Sequence, residues 1–162
     1  MADSPSGELH VPDGSCLCGT IRFTARGAVR FSQLCHCHAC CAARGASPVH
    51  LIAVATRDFE ITAGADALQM TPGYGRMTHT FCSRCGSGIY QHPRDASFRA
   101  LFPSTFAGGD RTQLRLPAHL APTQHSNYES RLFDWTDDLP KYIGWRTRCS
   151  NDGVPLLDGA VS

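Results

Sequence analysis

The chain has 162 residues, with 15 Lys plus Arg against 14 Asp plus Glu, and so a net charge of +1 with neutral histidines. That balance, with no two basic residues adjacent, excludes a polyanion-binding surface and hence a nucleic-acid partner. The longest apolar run, Leu51 to Ala55, is too short to span a bilayer, and Met1 to Gly14 lacks the basic and apolar regions of a signal peptide. A cytoplasmic address with no membrane association is expected.

Residues 1–13 are polar and proline-bearing and read as a flexible N-terminal segment, residues 14–148 as one domain, and residues 149–162 as a loose tail. Within the domain the apolar residues alternate over short stretches. Ile21 and Phe23 are followed by the stop Ala25-Arg26-Gly27, and Val29, Phe31 and Gln33 lead to Cys35. Val49 to Ala55 is a more fully apolar strand. Phe59 with Ile61 and Leu68 with Met70 are separated by Gly64, and Met77, His79 and Phe81 run into Cys82. Ile89 to Gln91, Phe98 to Phe102 and Leu114 to Leu116 complete the predicted strands. Helix is expected only as a turn after Cys40 and a short segment from Ser130 to Asp134. Many short strands punctuated by Gly and Pro predict a mainly β fold of packed antiparallel sheets.

Nine cysteines in a reducing compartment favour metal binding or catalysis over disulfides. Seven fall into three tight clusters: Cys16-x-Cys18-Gly19, Cys35-x-Cys37-x-x-Cys40 and Cys82-x-x-Cys85-Gly86. Zinc takes four tetrahedral ligands, and thiols one to three residues apart on a turn reach one ion together. Seven ligands divide as four plus three. A closed four-thiolate site is structural, whereas three thiolates leave a position for water or substrate. The triple is the one cluster able to supply three ligands unaided, so Cys35, Cys37 and Cys40 are assigned to a catalytic zinc. Cys16, Cys18, Cys82 and Cys85 are left for a structural zinc. His36, His38 or Cys41 lies near enough to close the triple site, which would make both ions structural.

The pattern Gly14-Ser15-Cys16-x-Cys18-Gly19, then Cys35-His36-Cys37-x-x-Cys40, then Phe81-Cys82-x-x-Cys85-Gly86-Ser87 resembles the glutathione-dependent formaldehyde-activating (GFA) family, which also includes centromere protein V. The resemblance runs over roughly residues 14 to 140 and includes the tail segment Leu139-Pro140-Lys141-Tyr142. It implies stacked antiparallel sheets of the Mss4-like (β-tent) type and two zinc ions per chain, with the same division of ligands. It further implies carbon–sulfur lyase chemistry, in which formaldehyde and glutathione combine to S-(hydroxymethyl)glutathione. The partner implied is a small thiol or thiol adduct such as a glutathione conjugate. In place of the polar residues many members carry after the third cysteine of the triple, this chain has Cys41-Ala42-Ala43 before Arg44.

Two other readings stand beside this one: a non-catalytic zinc-stabilised interaction domain, and a family enzyme acting on a specialised metabolite. No proton carrier is marked. His36 and His38 would point away from Cys35 and Cys37 in an extended run, and His50 and His79 lie in strands. His125 and Tyr128 sit in a late loop open to substrate contact. Asp134, Asp137 and Asp138 read as a solvated acidic rim, and Phe23, Phe31, Phe81, Tyr90 and Trp135 as core.

Overall fold

The computed structural model describes residues 11–71, 75–106 and 115–156. In chain order it contains β1 (Gly14–Ser15), β2 (Arg22–Ala25), β3 (Val29–Cys35), α1 (His38–Arg44), β4 (Val49–Ala55), β5 (Phe59–Ala63) and β6 (Leu68–Met70). There follow β7 (Met77–Cys82), β8 (Gly88–Pro93), β9 (Phe98–Leu101), β10 (His125–Ser126), β11 (Lys141–Ile143) and β12 (Thr147–Cys149). The described residues form two compact units, one drawn from 11–31 and 52–120, the other from 32–51 and 121–156. Among them no helix is long and apolar enough to cross a membrane.

The first unit holds two antiparallel arrays. One is β1–β2–β5, with Phe23 opposite both Gly14 and Ile61. In the other, β4 from Ile52 pairs with β9, then β8, β7 and β6 follow in turn. The alternation seen in the sequence is the alternation of burial: in β2 Phe23 and Ala25 are buried while Arg22 is exposed. In β4, Leu51 to Val54 are all buried, which is why that stretch lacks polar alternation. The core comprises Ile21, Phe23, Ile52, Val54, Ile89, Leu101, Phe106 and Leu120 among others. Phe23 stands at its centre, with ring centroids 5.5 Å from Phe59 and 6.4 Å from Phe106. Gly64 ends β5 with φ +71, and a Cβ there would lie 2.2 Å from the Thr20 carbonyl oxygen. The close approach and the left-handed backbone both demand glycine.

The second unit departs from the all-antiparallel expectation. β10 runs parallel to β3, with His125 opposite Leu34 and Ser126 opposite Cys35, and parallel to β11 through His125 and Lys141. β11 then pairs antiparallel with β12. α1 leaves β3 through Cys37 at its N-cap and stops at Gly45, whose left-handed conformation turns its N–H onto the Cys41 carbonyl.

Three sequence expectations are corrected here. The helical segment from Ser130 to Asp134 is instead a 3₁₀ turn at Tyr128–Ser130, too short to carry an apolar stripe. Arg115 and Leu116 are in no strand, and Leu114 lies outside the described residues. Phe31, Phe81 and Trp135 are half-buried, unlike the core residues Phe23 and Tyr90. Truncating a buried Phe costs about 3–5 kcal/mol. Phe23→Ala is therefore expected to lower unfolding stability by that amount in urea titration. The exposed Leu132→Ala should change it by less than about 0.5 kcal/mol, and equal effects would contradict this placement of the core.

Candidate functional site

Two turns of matching construction bring four cysteines together. Cys16 donates its N–H to the Ile21 carbonyl at 3.0 Å, and Cys82 donates to the Ser87 carbonyl at 2.8 Å. Each turn is sealed by a glycine of positive φ that bonds back to the first cysteine carbonyl: Gly19 to Cys16 at 3.0 Å and Gly86 to Cys82 at 2.8 Å. The turns are tied to one another by the Leu17 N–H, which donates to the Ser87 hydroxyl at 2.9 Å. All four sulfurs lie within 4.8 Å of one another. Cys16 and Cys18 sulfurs are 3.4 Å apart, and those of Cys18 and Cys82 are 3.9 Å apart.

Four thiolates on zinc at about 2.3 Å would sit about 3.8 Å apart, so the donor set and its spacing fit that ion. The electrostatics argue likewise. Burial pushes the Cys16 thiol up to about 11, although the Ile21 N–H donates to its sulfur at 3.2 Å. Burial acts upward on Cys85 too, but the Ser87 hydroxyl and N–H and the Cys18 N–H outweigh it and hold that thiol at about 5. Hydrogen bonding from Thr20 lowers Cys18. Protein alone thus leaves the cluster part thiol and part thiolate; a dication lets all four ionise.

The middle cluster is arranged differently. Cys35 ends β3 and is 2% exposed, Cys40 is equally buried on α1, and Cys37 is half-exposed at the helix N-cap. A hydrogen bond with Cys40 is the largest influence on Cys35. With the Cys37 N–H and the Ser126 and Asn127 side chains, it outweighs burial and holds the thiol down to about 6. The Asn127 amide donates to the Cys35 sulfur at 3.4 Å. Cys41 turns its thiol to the Cys35 carbonyl at 3.5 Å, and burial raises it. Among the described residues the structure gathers three or more sulfurs within 4.8 Å of one another at the four-cysteine cluster; in the middle cluster it pairs Cys35 with Cys40, and the three sulfurs are not all within that distance of one another.

Residues 11–125 match the family described as "Glutathione-dependent formaldehyde-activating enzyme". The chain belongs to this family. No curated protein matches it. A structural-genomics crystal structure of a Rhodobacter sphaeroides protein is similar at 20% identity and a TM-score of 0.49, covering 65% of this chain and 97% of that one.

This GFA-family member also contains a buried polar chain that its sequence did not reveal. Lys141, 2% exposed, donates to the Asp137 carboxylate at 2.7 Å and to the Asp137 and Leu139 carbonyls at 2.9 Å. The same carboxylate lies 2.9 Å from His125 Nε2, and His125 Nδ1 lies 2.8 Å from His36 Nε2. A carboxylate only accepts, so it fixes the proton of His125 on Nε2. With both rings neutral, His125 Nδ1 accepts from His36 Nε2–H, and His36 Nδ1 has no hydrogen-bond partner among the described residues. Burial first, and second the repulsion that a protonated His125 would exert, push His36 down to about 4. Tyr128 and Trp135 pack on both imidazoles.

Three roles read from sequence change accordingly. Asp137 is no solvated rim: burial raises its carboxyl, yet the Lys141 and His125 bonds prevail and hold it below the usual range. His125 and Tyr128 are fully buried and offer no surface to substrate. His38 is exposed at the start of α1, and His50 bonds the Ser32 hydroxyl at 2.8 Å. Removing Asp137 strands a buried ammonium, whereas Lys141→Met removes the charge and leaves a third-exposed carboxylate that water can reach. Asp137→Ala should cost about 3 kcal/mol, the low end for a broken buried pair, and more than Lys141→Met; urea unfolding in the reverse order would refute the network.

Proposed function

We propose that the chain is a zinc-dependent enzyme of carbon–sulfur bond chemistry, joining a small thiol such as glutathione to an aldehyde such as formaldehyde or cleaving the S-hydroxyalkyl adduct. The observation that carries this reading is the contrast between the two thiol groups. One is a compact set of four, suited to a filled structural site. The other is a pair, Cys35 and Cys40, with Cys37 at the adjoining N-cap, in a family whose named reaction makes a carbon–sulfur bond.

Cys35, Cys37 and Cys40 would hold the second zinc. When bound there, zinc supplies a positive charge that favours thiolate and polarises oxygen. The chain's own contribution is positional. β3 and α1 carry the sulfurs on rigid elements, and burial of Cys35 and Cys40 keeps competing water from them. In the reaction the thiol sulfur forms a bond to the carbonyl carbon, the C=O π pair moves to oxygen, and the proton lost from sulfur ends on that oxygen. A reducing cytoplasm suits a chain whose nine cysteines are all free.

The test is the rate of thiol–formaldehyde adduct exchange, followed by magnetisation-transfer NMR with glutathione. Cys35→Ser and Cys40→Ser are expected to fold and to fall to the uncatalysed background, whereas Cys82→Ser should fail to fold. Catalysis undiminished in Cys35→Ser would remove the second zinc from the reaction, and no catalysis in the fully metallated wild type would leave a non-catalytic zinc domain as the surviving reading.

A further inference from the structure

We propose that Asn127 is a positioning residue, whose side-chain amide orients the Cys35 sulfur and sets how firmly the second metal site holds its ion. The inference rests on the reading above that Cys35 is a zinc ligand, and it begins from backbone geometry.

Asn127 has φ 51 and ψ 41, and Ala96 is the other non-glycine with positive φ among the described residues. Asparagine tolerates that conformation better than most residues, and glycine tolerates it best. The turn alone therefore does not require an amide side chain. Both backbone groups are occupied: the Asn127 N–H donates to the Gly144 carbonyl at 2.8 Å, and its carbonyl accepts from Ser130 N–H at 3.0 Å. The Gly144 N–H is in turn held by the Glu129 carboxylate at 2.8 Å. On one side of Asn127 lies β10, anchored through His125 to Asp137 and Lys141; on the other lies Tyr128, fully buried.

So clamped, the residue has little freedom beyond its side chain, and that side chain reaches a sulfur 92 positions away in sequence. The Nδ2 group donates to Cys35 Sγ at 3.4 Å. An N–H donor on a ligating sulfur delocalises its charge and fixes its direction, and such supporting bonds are typically worth about 10–100-fold in metal affinity. Aspartate would fit the same backbone but bring only acceptors against the sulfur. The identity of the residue thus matches what a negatively charged sulfur needs.

The decisive variant is Asn127→Gly, which keeps the left-handed backbone and both backbone bonds while deleting the donor. Zinc release to a chromophoric chelator is read in two phases, and thermal unfolding is measured alongside. The expected result is a second-site phase at least about tenfold faster than wild type, with the four-cysteine phase and the melting temperature unchanged. An unchanged second-site phase, or equal acceleration of both phases, overturns the proposal. If the wild-type protein carries one zinc, the proposed function fails and the affinity claim fails with it; the orienting bond from Asn127 to Cys35 is then decided separately, by the Asn127 side-chain amide protons in a ¹⁵N correlation spectrum. One of them should be shifted and protected from exchange in wild type and revert to ordinary values in Cys35→Ala; indifference to that substitution would refute the bond.

Discussion

Four sulfurs held within 4.8 Å of each other are the constraint from which the first unit takes its form. As thiolates they repel, and two of them, Cys16 and Cys82, are buried away from water, which disfavours a charged sulfur. A divalent ion resolves the conflict by letting all four ionise around it. Apparent zinc-binding free energies in small domains, about 10–16 kcal/mol, match or exceed the whole stability of a typical domain at about 5–15 kcal/mol. The turn at Cys16 and the turn at Cys82 are 66 positions apart in sequence, so an ion held between them would act as a long-range fastener. Both turns present the same apparatus, a glycine of positive φ and a backbone bond reaching five residues ahead. The backbone is shaped to deliver sulfur.

The second unit is fastened by ordinary polar chemistry. A lysine, an aspartate and two histidines lie end to end under Tyr128 and Trp135, and every link has a donor and an acceptor in place. Such a chain is a poor source of net stability because its charges lose water. What it provides is a fixed geometry for β10, and through Asn127 a fixed direction for the Cys35 sulfur. The two units thus embody different uses of cysteine: a ligand set made complete by its own members, and a sulfur pair supported by neighbours that are not ligands.

Much of this was legible beforehand because the relevant signals are local. A period of two in Ile21 to Ala25 or Met77 to Cys82, and thiols spaced by one or two residues before glycine, carry their meaning within a few positions. What escaped depends on partners far away in the chain. Lys141 and Asp137 look like any surface charges until folding places them 2.7 Å apart and buries the lysine. His125 looked like a loop residue because β10 is two residues long, too short for any periodicity to register. The parallel pairing of β10 was equally invisible, since no hairpin turn announces it. Asn127 drew no notice, yet a single Asn before an aromatic in a late loop is the sort of left-handed turn signal that could have marked it.

The central claim is that this chain sorts its thiols into one filled and one open metal environment. Zinc K-edge X-ray absorption, combined with a metal count on the purified full-length protein, tests it most directly. The account predicts two zinc ions per chain and an average first shell of between three and four sulfurs at about 2.3 Å, completed by a lighter oxygen or nitrogen. One zinc with four sulfurs, or two zincs each surrounded by four, would contradict it.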